Sequence, residues 1–436
     1  MSFLNVVEIE SALIGLASSY PSVTQLITLP YFTVEGRQSH ALRIGTGPCR
    51  RSAVLIISGA HAREWGGPDI CINFAADLLE AYSLGRALIY GGTAYSAAEI
   101  KSIIERLDVI VFPDVNPDGR NYSQNTYPMW RKNRNPASSG GQASKIGVDP
   151  NRNYDFLWDF NAAFAPGAQA FGTLASSDPS SDIFHGIAAF SEAETKNVRY
   201  LFDQFPQISW FMDIHSFGGD ILHSWGDDTN QSGSLSINFT NAAWNGQRGL
   251  PADAYGEYIG ACDLANVAAA ANAMKAAIAG VRGETYAVAQ AFFLPSWGSP
   301  YPTSGASDDW TYSRFFTDPT KRKVRAYTLE FNTVKTFFPT WAEMQQIILD
   351  VDAGLVRFCL GAVPRFSLSY WLCWWRHRLN DAIWHRVFPP ELWGPYGPWA
   401  RIRRAVESIL FPIVAPLLRL LGTGARRRSS GGSRRR

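Results

Sequence analysis

The sequence predicts an α/β domain, on three observations. Four apolar runs of strand length, SAVLIIS from Ser52, LDVIVFP from Leu107, ISWFMDI from Ile208 and VRAYTLEF from Val324, carry almost no polar interruption. Helix-length patterns lie between and after them, among them PDICINFAADLLEAYSL, SAAEIKSIIERL, DLANVAAAANAMKAAIAGV and TWAEMQQIILDVDAGLVRFCL. Each apolar run also has a polar residue of catalytic type at or just past its C-terminal end, where open α/β sheets gather their sites.

Capping-box spacings support two of the helices. Ser191 with Glu194 predicts one start and Thr340 with Glu343 another. Gly/Ser/Pro-rich stretches interrupt the alternation at 135–145, 166–181 and 227–258, and loops this long inside a domain tend to form part of a site. At the N-terminus, MSFLNVVEIESALIGLASSYPS lacks a basic leader and is broken by Glu8 and Glu10, so it reads as an amphipathic helix. That reading favours a cytoplasmic or membrane-peripheral protein over a secreted one.

With 436 residues, 46% hydrophobic and 18% charged, the chain can bury a large core; neither wholesale disorder nor a polytopic membrane protein fits. The net charge of +2 hides an asymmetry. From Arg365 onward there are fourteen Arg and no Lys against Asp381, Glu391 and Glu407, whereas the preceding part has 26 basic and 35 acidic residues. Residues 1–362 are therefore read as the main domain, 363–424 as a Trp/Arg-rich appendage and 425–436 as a disordered basic tail. Six Trp between Trp371 and Trp399, followed by SILFPIVAPLLRLLG, have the chemistry of an interfacial membrane segment, and equally of a helical appendage packed on a domain. Pro412 and Pro416 argue against a membrane span. The Arg-only end suits nonspecific polyanion contact, with no specific nucleic acid expected. Five scattered cysteines without a CxxC pair imply neither a disulfide framework nor a thiolate metal site.

The chemistry-bearing residues fall at strand ends. His61 and Glu64 lie three apart in GAHAREW, and His215 ends the third apolar run; imidazole and carboxylate both suit zinc. Taken singly, HxxE is as readily a surface pair and His215 a bonded core histidine. Glu330 closes the fourth run, either to pair with an Arg or to serve as a general base. Arg63, Arg131, Asn151, Arg152 and Tyr301 could build a pocket for an anionic substrate, Arg because its planar fork grips a carboxylate.

In combination, HAREW, DVNPDGR, MWRKNR, GVDPNRNYD, DIHS, GASDDW and YTLEF, in this order, resemble the zinc carboxypeptidases typified by the pancreatic A and B enzymes, peptidase family M14. The resemblance spans residues 5–362 and implies a mixed, mostly parallel sheet of eight strands with helices on both faces. It further implies one Zn2+ per chain on His61, Glu64 and His215, with Glu330 as catalytic base and Arg131 polarising the scissile carbonyl. Two His, one carboxylate and an open position form a ligand set found in hydrolytic zinc sites, carboxypeptidase A included. By the same resemblance Asn151, Arg152 and Tyr301 clamp the terminal carboxylate, Arg63 lines a neighbouring subsite, and Asp308 sets a preference for terminal Lys or Arg. The expected substrate is the C-terminus of a peptide or protein. Phe217 stands where a Tyr is common, 227–258 is a long insertion expected to form a rim loop, and Thr303 could widen the pocket. No pro-domain precedes the catalytic region in this sequence, so activation by propeptide cleavage is not expected. Competing readings are another zinc amidohydrolase and a catalytically dead binding module; the latter would be expected to lack Glu330 or a ligand.

Overall fold

The computed structural model describes residues 3–46 and 51–364, which belong to one compact unit. Eight strands form its main sheet: β1 Thr24–Thr28, β2 His40–Ile44, β3 Ala53–Ser58, β4 Asp108–Phe112, β5 Ile208–Ser216, β6 Asp220–His223, β7 Ala287–Gln290 and β8 Arg325–Phe331. Their spatial order is β1-β2-β4-β3-β5-β8-β6-β7. The four central strands, β4, β3, β5 and β8, run parallel, and β6 pairs β7 in parallel. The pairs β1–β2, β2–β4 and β6–β8 are antiparallel, which makes the sheet mixed as expected.

Both faces of the central strands are covered. Val54 and Ile56 point into one core and Leu55 and Ile57 into the other; Val109 and Val111 alternate with Ile110 and Phe112 in the same way. This explains why the strands read as continuous apolar runs rather than as alternating ones. The first core is closed by helices α1 Val6–Ser19, α2 Gly66–Leu84 and α3 Ala97–Arg106, together with two that follow later in the chain. After the short helix α4 Pro117–Asn125, the second core is covered by α5 Ala193–Gln204. Next come α6 Ala261–Arg282, α7 Ser307–Thr317 and α8 Trp341–Ala362, of which α6 and α8 pack on the first core and α7 on the second. Each fully buried Leu, Ile, Val or Phe contributes about 1.5–3 kcal/mol relative to exposure.

Among the described residues α6 alone is long and apolar enough to cross a membrane by length and composition. Its buried side chains, Val267, Ala271, Met274, Ile278 and Val281, follow a helical stripe that faces the core. The appendage and tail expected at 363–424 and 425–436 fall, from residue 365 on, outside the described residues.

Three expectations need correction. The helix expected to start with a Ser191–Glu194 capping box begins at Ala193, with Glu192 at its cap and no side-chain cap bond. Ser191 Oγ donates instead to Glu192 Oε1 at 2.6 Å, and Glu194 is buried against Asn133. The Thr340–Glu343 box forms as expected. The 227–258 segment is not a rim loop: none of its residues lines the pocket described below. Buried Arg248 draws it inward by donating to Tyr255 Oη at 3.1 Å and to the Ala163 and Asn241 carbonyls at 3.2 Å. Lastly, Cys71 and Cys359 are free and buried, but Cys262 is disulfide-bonded.

Candidate active site

The parallel arrangement of β3, β5 and β8 brings their carboxyl ends to one edge. Glu330 is the register partner of His215 across β8 and β5, and Ser58 at the end of β3 pairs with Ile214. From Ser58 the chain turns through Gly59, at φ +72°, where a Cβ would stand 2.9 Å from Asp114 Oδ1. Only glycine fits that turn, which delivers His61; the Glu64 N–H donates to the His61 carbonyl at 3.1 Å, closing the turn just before α2.

His61, Glu64 and His215 converge, all three buried. His61 Nδ1 lies 2.8 Å from Glu64 Oε1, His215 Nδ1 lies 3.0 Å from Glu64 Oε2, and the two Nδ1 atoms are 3.0 Å apart. The outer nitrogens face carboxylates. His61 Nε2 is 3.2 Å from Asp149 Oδ1, and His215 Nε2 is 3.0 Å from Asp213 Oδ2, off the line of a good hydrogen bond. With the protons on the Nε2 atoms, beside the aspartates, both Nδ1 lone pairs are left on the side of the cluster. Two such lone pairs 3.0 Å apart repel unless a proton or a cation lies between them.

Electrostatics agree with a cation site. Burial alone would raise the Glu64 carboxyl, yet His61 and His215 hold it well below the ordinary carboxylate range. Burial would likewise depress His215, but Asp213 and Glu64 raise it well above the usual imidazole value. The donor set is thus two nitrogens and a carboxylate held close together, which fits zinc.

A single cleft holds this cluster together with Arg131, Asn151, Arg152, Tyr301, Asp308 and Glu330, with Arg63 at its wall. Asp149 organises one side: Arg131 donates to its Oδ2 from Nε at 3.1 Å and Nη2 at 2.9 Å, while Oδ1 accepts the Asn151 N–H at 2.9 Å. Arg131 Nη1 has no acceptor among the described residues. Burial works against that guanidinium's charge, but Asp149 more than compensates and raises its pKa. Asn151 Oδ1 accepts the Ser307 N–H at 2.8 Å, which leaves its Nδ2 without a protein acceptor among the described residues.

Arg152 is 2% exposed, and its guanidinium reaches only carbonyl oxygens: Thr173 at 3.1 and 2.7 Å, and Asn151 at 2.6 Å. No carboxylate pairs with it among the described residues. Gly305, at φ +66°, backs this segment so closely that a Cβ would stand 2.3 Å from the Arg152 carbonyl oxygen. Asp308 is the mirror case, a carboxylate 4% exposed that accepts from the Asp309 N–H at 2.9 Å and Thr328 Oγ1 at 3.1 Å and has no basic ion-pair partner among the described residues. Burial raises its carboxyl pKa. Leu222, Ala291, Leu294 and Thr303 line the same cleft.

Glu330 opens partly to the cleft, but the protein packed around it governs its acidity. Burial, aided by the negative charge of Glu64, pushes its carboxyl up to about 8. Arg63 donates to the Asp182 carboxylate at 3.2 Å and lies 4.7 Å over the Phe337 ring; Phe217 meets Phe337 at 4.8 Å between ring centroids. Every site residue expected from sequence therefore borders this one cleft.

Sequence reasoning missed Asp149, Asp213 and Ser307. A signal existed for Asp213, which sits two residues before His215 on a strand and so on its face. Ser307 donates to Asp213 Oδ2 at 2.6 Å and steadies that aspartate. Asp149 gave no local cue, since its role depends on a turn that folds back to the His61–Glu64–His215 cluster.

Comparison with known proteins accords with this geometry. The zinc carboxypeptidase family profile matches residues 9–352. The chain belongs to the zinc carboxypeptidase family, whose members depend on zinc. A carboxypeptidase B of Helicoverpa zea is 32% identical over 229 residues, covering 51% of this chain and 45% of the relative. An inactive metallocarboxypeptidase of Arthroderma otae is 30% identical over 223 residues, covering 48% of this chain and 33% of the relative. The matched stretch thus spans half or less of those proteins' own length. Among solved structures, bovine thrombin-activatable fibrinolysis inhibitor, in complex with tick carboxypeptidase inhibitor, superposes with a TM-score of 0.60 at 21% identity. That match covers 83% of this chain and 97% of the other, and it shows the shared fold.

Proposed function

We propose that this chain is an active zinc carboxypeptidase that removes single residues from the C-termini of peptides and proteins, with a preference for Lys or Arg at the end. The observation that carries the reading is Arg152, a buried guanidinium with no carboxylate within ion-pair distance among the described residues, in the cleft that also holds the His61–Glu64–His215 cluster. A charge left so is costly unless a ligand supplies the counter-ion, and a planar fork matches a carboxylate.

One zinc ion on His61, Glu64 and His215 would supply Lewis acidity to a carbonyl oxygen and acidify a water molecule to a pKa of about 7. Arg152 and Asn151 Nδ2 hold the terminal carboxylate, and Tyr301 closes over it from the half-buried wall. Arg131 Nη1 donates to the carbonyl oxygen as negative charge develops there, a contribution on the order of 3 kcal/mol. Glu330 removes a proton from the attacking water and delivers it to the departing amine. Asp308 receives the cationic end of a terminal Lys or Arg. Because Glu330 and all three ligands are present and converge, an inert binding module is the weaker reading.

The test is peptide-ladder mass spectrometry on matched peptides ending in a free carboxylate or an amide. Stepwise loss of terminal residues from the free acid alone is expected. Equal cleavage of the amide, or cuts at internal bonds, would overturn the exopeptidase reading.

A further inference from the structure

Beyond the main cleft a shallow depression is lined by Phe217, Ser296, Trp297 and Lys335, sharing Phe217 and Trp297 with it. Large apolar surfaces stand in water here: Trp297 is 59% exposed and Val334 60%. Trp297 is fixed edge-on to Tyr301 at 5.6 Å, so the depression adjoins the clamp. Such exposure beside a ligand cleft marks surface that a ligand covers.

Lys335 gives the depression a sign. Its exposed ammonium donates to the Ser296 carbonyl at 2.9 Å, which aims it, and no carboxylate lies within ion-pair distance among the described residues. Asp220, whose carboxyl feels the Lys335 charge, is buried and taken by the Ser296 N–H at 3.2 Å. A cation in a depression that Trp297 and Phe217 also line suits a side chain with methylenes and a terminal carboxylate.

We infer that this depression is a second specificity subsite, which binds an acidic side chain of the peptide substrate at the second or third residue before the cleaved bond. Lys335 pairs with the carboxylate, and Trp297 and Phe217 cover the methylenes. The inference rests on the exopeptidase reading above. It adds a polarity to the substrate: a base in the pocket of Asp308 and an acid upstream, two opposite charges that fix the register of the bound chain.

The experiment compares kcat/KM for peptides with a constant C-terminal Arg and Glu, Gln, Lys or Leu at either upstream position, using the full chain and its Lys335→Gln and Lys335→Glu variants. Ratios are taken within each enzyme, so a general loss of activity cancels. Wild type is expected to favour Glu over Gln by about three- to fivefold at low salt, the size of an exposed ion pair. Lys335→Gln should abolish the ratio and Lys335→Glu invert it. Equal rates for Glu and Gln in wild type, a Glu preference that survives Lys335→Glu, or a preference for Leu would each overturn the subsite. An N-acylated dipeptide ending in Arg, too short to reach the depression, separates the two claims. If wild type cleaves it, the parent reading holds whatever the ratios show; if wild type does not, both fall.

Discussion

The proposed preference for a basic terminus rests on one charge, and Asp308→Asn removes it with almost no change of volume. In the native site the carboxylate is 4% exposed, receives two neutral donors and has no cationic partner among the described residues. An ion pair at about 4 Å in surroundings of effective dielectric ~20 is worth about 4 kcal/mol before desolvation. Part of that is lost because the substrate's cation leaves water, so a net of about 2–3 kcal/mol remains, the range of a charge-assisted hydrogen bond. At 1.4 kcal/mol per tenfold, Asp308→Asn should lower kcat/KM for a peptide ending in Arg by about 30- to 150-fold. The same peptide ending in Leu should change by less than about threefold, since the amide keeps the hydrogen bonds of the pocket floor. Steady-state kinetics on the two peptides decide it. An Arg-to-Leu ratio that survives the substitution, or a wild type that already cuts Leu faster, would mean that Asp308 plays no part in recognition.

Three further outcomes follow from the same structure. Asp213→Asn should weaken zinc binding by about 10- to 100-fold in chelator competition, because His215 loses the carboxylate that orients it; unchanged affinity would remove Asp213 from the site. Glu194→Gln tests a pH dependence: burial, then the Glu192 charge, push the Glu194 carboxyl from 4.5 up to about 8. Its pKa being raised on folding, the stability it contributes is full below about 4.5 and is lost as pH rises through 8. Wild-type Tm should therefore fall between about pH 5 and 8 and level off for this group above that, and that of Glu194→Gln should fall less over the same interval, whereas parallel curves would count against the assignment. Gly305→Ala places a Cβ 2.3 Å from the Arg152 carbonyl oxygen at positive φ, and should cost about 1–3 kcal/mol or more in denaturant unfolding; a neutral effect would show that the segment can shift.

The centre of the fold was legible because β3, β4, β5 and β8 are buried on both faces and so are apolar throughout. The flanking strands were not. Thr24–Thr28 has mixed exposure and Ala287–Gln290 is only half-buried, so neither carries a strong period. The residues that converge on the cleft were picked out through seven ordered motifs, each of them weak alone. Residues that act through another residue were harder to see. Asp149 orients His61, Arg131 and Asn151 at once, yet in sequence it is one acidic residue in a loop. The Ser191–Glu194 misreading has a similar origin, since a capping spacing cannot reveal that Asn133 will claim the glutamate.

Metal analysis of the purified full chain, run beside a peptidase assay, bears most directly on whether His61, Glu64 and His215 form a working zinc site. Wild type and Glu330→Gln should each retain about one zinc per chain, with only wild type active, while a His61→Ala/His215→Ala variant should hold almost none. Zinc retained by that double variant, or peptide hydrolysis by wild type stripped of metal, would contradict the mechanism built on those three side chains.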